Sequence, residues 1–223
     1  MELENCVVYD VEIAKNVDDV PGKWDNPEGM GFASAVAYDY REKRYRFFLH
    51  EEQKHDLLEL LQNQIAITFN GVSFDSRVTL GNKREAIVDR TPGEKLSGLM
   101  QITDKYRDIE GNYCCAHAWL DFDILLQYVR SRFEYDDVKQ AEERLGDKAI
   151  HDGSFSLDGL AEGTFGMHKT GHGARAPMLY QENKYAELLE YNLQDVRLTK
   201  KLFEFIQEYG FVVDRAGRSV RFK

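Results

Sequence analysis

The sequence predicts an α/β fold, a mixed sheet of about five strands with helices on its faces, and three observations carry that expectation. Short apolar runs recur between polar turns, as half-buried and buried strands require. Leucine-rich amphipathic stretches fall between and after those runs. The order is strand, hairpin, helix, strand, helix, strand and then helices, which suits one sheet covered by helices better than a bundle or a sandwich.

The elements follow in order. Residues 6–11 (CVVYDV) are an apolar run ending in acid and read as a buried strand. Residues 16–30 are a polar Pro/Gly loop. Residues 32–39 and 44–50, rich in Tyr, Phe, Val and Ala, are separated by a short charged turn and read as a hairpin. Residues 51–62 set Leu57, Leu58, Leu60 and Leu61 on a charged background, an amphipathic helix. A second buried strand is expected at 65–69, ended by Asn70-Gly71, and a helix start at 74–80. Residues 81–111 are charged, contain Pro92, and read as an insertion with little regular structure. Residues 113–119 are strand-like and 124–133 helical, with Asp121 and Asp123 placed to cap that helix. After a loop at 146–156, helices are expected at about 156–165, 183–190 and 192–209, with Gly210 as the stop.

A chain of 223 residues suits one domain with a substantial core. No repeat, low-complexity segment or composition shift divides it, so a single domain over 1–223 is expected, with 16–30 and 81–111 as loop insertions. No stretch approaches the roughly 18 apolar residues of a membrane span. The opening MELENCVVYD lacks the basic and apolar regions of a secretory leader, so none is expected. Cys6, Cys114 and Cys115 are an odd count without metal-ligand spacing, which predicts reduced thiols in the cytoplasm. The net charge of −10 argues against a broad basic nucleic-acid surface. Residues 151–223 balance ten Lys/Arg against ten Asp/Glu, so the excess acid lies in 1–150 and a substrate path should favour the C-terminal third.

Four carboxylates stand out by location. Asp10 and Glu12 lie two residues apart on an apolar strand, so alternation puts both on one face. Burying unpaired carboxylates costs several kcal/mol, which divalent cations would offset. Asp75 begins a helix beyond the second strand, and Asp195 sits in the final helix with Tyr191 one turn before it. Hard oxygen ligands from separate elements suit Mg²⁺ or Mn²⁺. Two such ions roughly 4 Å apart would clamp a phosphodiester and activate water. Each piece has a plainer reading: Asp-x-Glu on a strand often faces solvent at a sheet edge, and Tyr-x-x-x-Asp on a helix arises by chance. His117, His151, His168 and His172 have no ligand-like spacing and read as structural or solvent-facing.

The ordered set VVYDVEI, ITFNGVSFDSRVT, FSLDGLAEGTFGMHKTGHGARAP and YNLQDVRLTKKL resembles the motifs of DEDD-type 3′–5′ exonucleases. In particular it resembles the proofreading-like nucleases related to the exonuclease domain of family B DNA polymerases, over about residues 5–206. The resemblance implies an RNase H-like fold, with Asp10, Glu12, Asp75 and Asp195 holding two divalent cations, Mg²⁺ or Mn²⁺. It makes Tyr191 the residue that positions or helps deprotonate the attacking water. Glu190 stands where a sister subgroup has histidine, which indicates the tyrosine class. Asn70 and Phe74 match positions facing the 3′-terminal nucleotides, and Lys169, in the Lys-Thr-Gly loop, is a candidate to contact a phosphate. Their plainer readings are a turn-former, a core ring and a solvated lysine. The implied partner is a single-stranded nucleic acid 3′ end, DNA favoured over RNA, with no membrane involved. The alternatives are an exoribonuclease of the same fold, or an inactive scaffold that binds nucleic acid or a protein partner; the presence of all four acids and the tyrosine weighs against the scaffold.

Overall fold

A computed structural model describes residues 2–81, 84–88, 99–104, 106–107, 110, 112–135, 137–145, 154–167 and 175–222. Its centre is a mixed seven-stranded sheet in the order β3-β2-β1-β4-β9-β6-β5. The strands are β1 (Cys6–Ile13), β2 (Phe32–Asp39), β3 (Arg44–Leu49), β4 (Ile65–Thr68), β5 (Arg84–Val88), β6 (Met100–Asp104) and β9 (Ala118–Asp123). Two-residue strands β7 (Tyr106–Arg107) and β8 (Tyr113–Cys114) pair with each other, as do β10 (Phe211–Val213) and β11 (Ser219–Arg221). The helices are α1 (Lys54–Leu61), α2 (Asp75–Leu80), α3 (Ile124–Phe133), α4 (Val138–Leu145), α5 (Leu157–Phe165), α6 (Ala176–Gln181) and α7 (Tyr185–Tyr209).

Strands β1, β4 and β9 run parallel, while β2 and β3 form the hairpin that the sequence predicts. This α/β architecture is consistent with an RNase H-like fold, but the sheet has seven strands where about five were expected. The difference lies in residues 81–111. Far from having little regular structure, this stretch supplies β5 and β6, which pair antiparallel with each other and, through β6, with β9. Its charged residues obscured two short strands on the sheet's outer side.

Register explains the core. Val8 pairs with Ile67 and Ile67 with Phe122, so three adjacent strands present one apolar row. Phe203 of α7 meets that row, its ring 5.7 Å from Phe122. Alternation sends Asp10 and Glu12 to the same face as Val8, and Tyr9 and Val11 to the other. The buried stripe of α7 runs Leu188, Asn192, Asp195, Val196, Leu198, Thr199, Leu202, Phe203 and Ile206. That spacing is one helical face lying on the sheet. The two helices expected at 183–190 and 192–209 are therefore one, because no residue near 191 breaks the hydrogen-bond ladder. Gly210 ends it at φ 74°, as a left-handed stop requires.

Residues 16–30 have no strand or α-helix, only three short 3₁₀ turns at Val17–Asp19, Lys23–Asp25 and Pro27–Met30. Helix α6 and the β10–β11 hairpin went unseen in the sequence, being too short for periodicity to show. Cys6, Cys114 and Cys115 form no disulfide among the described residues. Among the described residues no helix is long and apolar enough to cross a membrane.

Candidate metal centre

The strand-borne acids meet the helix-borne one. Oxygens of Asp10, Glu12 and Asp195 all lie within 4.8 Å of one another, a set able to hold a metal ion. Glu12 and Asp195 are buried and Asp10 is half-buried. Asp10 sits opposite Val36 and Glu12 opposite Ser34 in the β1–β2 ladder, and the register shifts immediately after Glu12. The strand thus turns from regular pairing at the point where its second acid faces the helix. On α7, Asp195 occupies a stripe position that a leucine would fill in an ordinary amphipathic helix.

Asn192, one turn before Asp195, completes this seam. Its side-chain Nδ2–H donates to Asp10 Oδ2 at 2.6 Å, and the residue is fully buried. This orients the Asp10 carboxylate and ties helix to strand. Sequence reasoning missed Asn192; the one signal was that it is a polar residue, with Asp195 and Thr199, on the otherwise apolar stripe of the helix.

Asp75 stands apart from the close triad. Its Oδ1 accepts the backbone N–H of Val11 at 2.7 Å, so it is anchored at the residue between Asp10 and Glu12. Burial pushes its carboxyl up to about 7, and the charges of Asp123 and Asp195 push the same way against the pull of the Val11 amide. The carboxylate is thus close enough to Asp195 to feel its charge, and it sits in a site that disfavours a bare negative charge.

The acids of β9 have separate duties. Asp123 caps α3 by accepting from Leu126 N at 3.2 Å, as predicted, and also accepts from Asn70 N at 2.9 Å and Val72 N at 3.1 Å. Asp121 is not a cap. It is fully buried and accepts the Thr68 hydroxyl at 2.7 Å, and burial together with the charge of Asp123 raises its carboxyl well above the usual range.

Asn70 is in the left-handed region at φ 68° and its carbonyl accepts from Phe74 N at 2.9 Å, so its backbone makes the turn that delivers Asp75. Gly71 is required there, since a Cβ would come within 2.4 Å of Thr68. Phe74 is half-buried at the N-terminus of α2, its ring centroid 6.1 Å from that of Trp24. Tyr191 is half-buried on α7, one residue before Asn192. Lys169, His151, His168 and His172 lie outside the described residues. His117 is structural, as expected, with Nδ1 3.1 Å from Asp104 Oδ2.

No protein-family model matches this sequence, and a search of curated proteins returns no match.

Proposed function

We propose that the chain is a metal-dependent 3′–5′ exonuclease that removes nucleotides from single-stranded DNA ends. The observation that carries the reading is the convergence of Asp10, Glu12 and Asp195 from a strand and a helix 183 residues further along the chain, their oxygens within 4.8 Å. Three carboxylates pressed together in a largely buried seam repel one another, and this all-oxygen donor set fits hard divalent cations such as Mg²⁺ or Mn²⁺. Bound there, such cations would neutralise phosphate charge and make water more acidic.

The chain's own groups then have distinct tasks. Asp10, Glu12 and Asp195 hold the cations, and Asn192 orients the Asp10 carboxylate through its hydrogen bond to Oδ2. Asp75, anchored on Val11, adds a fourth carboxylate at the margin. Tyr191, one turn before Asp195, orients the attacking water through its hydroxyl. Phe74 and the Asn70 turn line the approach of the terminal nucleotides.

The test is digestion of 5′-labelled single-stranded DNA and RNA, with and without Mg²⁺ or Mn²⁺. The expected result is a ladder shortening towards the label on DNA, only with metal. Preferential digestion of RNA would move the substrate to the exoribonuclease alternative. Immediate release of a labelled mononucleotide, or cleavage of closed circles, would overturn the 3′–5′ exonuclease assignment.

A further inference from the structure

The loop at 16–30 places a tryptophan beside the site and holds it there. Trp24 is 67% exposed, while the chain's other tryptophan, Trp119, is 2% exposed. The exposed indole is tilted 48° against the half-buried Phe74 ring, with centroids 6.1 Å apart. Phe74 directly precedes Asp75, whose carboxylate reaches the strand between Asp10 and Glu12.

This segment is held on several sides. Arg77 of α2 forks onto both carboxylate oxygens of Glu28 at 3.0 and 3.1 Å and donates to the Asp25 carbonyl at 2.7 Å. Ala14 and Lys15 at the end of β1 donate backbone N–H groups to Gly31 and Met30, each at 3.0 Å. Lys139 of α4 pairs with Asp25 at 3.0 Å, and Val20 and Met30 are buried beneath. Trp24 is therefore a large ring left in solvent by a loop whose neighbouring residues are tied down on both sides.

We propose that Trp24 is a nucleotide-positioning residue whose indole, with the Phe74 ring, forms the platform on which a base of the single strand stacks beside the acidic centre. The proposal rests on the nucleic-acid reading of that centre. Stacking suits a trimming enzyme because every base has a π face, so grip does not depend on sequence. It also supplies attraction that an acidic protein of net charge −10 cannot draw from a broad basic surface. A loop tied down before binding loses little backbone freedom when a base settles on its indole.

The test is a fluorescence titration of the intact protein, in Mg²⁺, with a short phosphorothioate-linked oligothymidylate that resists hydrolysis. Base stacking should quench the exposed Trp24, with buried Trp119 as a constant background. Trp24→Ala should abolish the quench and weaken binding, followed by anisotropy of a labelled oligonucleotide, by about tenfold or more. Trp24→Phe, which keeps an aromatic face, should bind within about threefold of wild type. Both variants should melt like wild type, since the loop's fixing contacts are made by other residues. On a cleavable strand, Trp24→Ala should raise KM with little change in kcat. No quench in the wild type, or Trp24→Ala binding as tightly as wild type, overturns the platform. Metal-dependent digestion alongside either result would leave the nuclease reading standing. A quench and tenfold loss in a protein that digests neither DNA nor RNA would uphold stacking and remove the nuclease reading instead.

Discussion

Asp10 and Glu12 were legible because two acids interrupt an apolar strand and alternation puts them on one face; Asn192 was not, because its meaning depends on which stripe of α7 meets the sheet. If Asp10 or Asp195 holds a cation, replacing either with Asn keeps the shape and removes the charge. Asp10→Asn or Asp195→Asn should then lower turnover at least about a hundredfold, the scale of losing a major electrostatic contact. Wild-type digestion by either variant in Mg²⁺ would remove its ligand role. Asn192→Ala separates orientation from charge. It deletes the 2.6 Å bond to Asp10 Oδ2 and should weaken Mn²⁺ binding by calorimetry about ten- to a hundredfold, as outer-shell partners do; an unchanged affinity would make Asn192 a packing residue only. Tyr191→Phe removes one oxygen and leaves the carboxylates in place. It should melt and bind metal like wild type while turnover falls by about ten- to a thousandfold, and an unchanged rate would make the tyrosine structural.

Among the elements, β1, the β2–β3 hairpin and β4 could be read from the chain, because their apolar runs are bounded by strong turn signals, whereas the central strand β9 forms at Ala118–Asp123, later than the strand expected at 113–119. Strands β5 and β6 could not: REAIV and MQITD mix charge with apolar residues, and the pairing of β6 with β9, and of β5 with β6, supplies the context that makes them strands. The packing of α5 was equally hidden. Gly163 sits within LDGLAEGTF, where glycine costs a helix about 1 kcal/mol against alanine. Its reason is tertiary, since a Cβ there would lie 2.3 Å from the Asp214 carbonyl at the end of β10. That obstacle is backbone, so it cannot swing aside. Gly163→Ala should thus destabilise the chain by about 1–3 kcal/mol despite the better helix propensity, measured as a lower midpoint in urea. A neutral or raised midpoint would mean that α5 and the hairpin can move apart without cost.

At the scale of the whole molecule, function and stability oppose each other through charge. Helix α7 docks on β1 along a seam where Asp195 faces Asp10 and Glu12, with Asp75 near enough to feel Asp195. The sign of the pH dependence follows from Asp75, held at about 7 in the folded chain, against about 3.9 when unfolded. Between those values the unfolded chain has given up a proton that the folded chain retains, so raising the pH favours unfolding. Asp121 and Asp123, also raised mainly by burial, act in the same direction. Asp104, held low by hydrogen bonds from the His117 and Ala116 amides and the His117 ring, and Asp214, held low by hydrogen bonds from Arg218 and Tyr128 and by the Arg218 charge, act in the opposite sense, but in the more acidic window below the ordinary carboxylate value. Without metal, Tm should therefore fall as pH rises from about 5 to about 8, the loss being of the order of a few kcal/mol. A divalent cation that binds only the folded chain restores stability by mass action. Mg²⁺ or Mn²⁺ should raise Tm strongly near pH 8, where the carboxylates are ionised, and much less near pH 5, where protons compete for the same oxygens. Asp75→Asn should flatten the metal-free pH slope, because the neutral amide has no proton to lose. Calorimetric scans across that range, with and without metal, decide the matter: a Tm indifferent to Mg²⁺ and Mn²⁺ at pH 8, with no pH slope in their absence, would mean that the acidic seam is neither strained nor built for a cation.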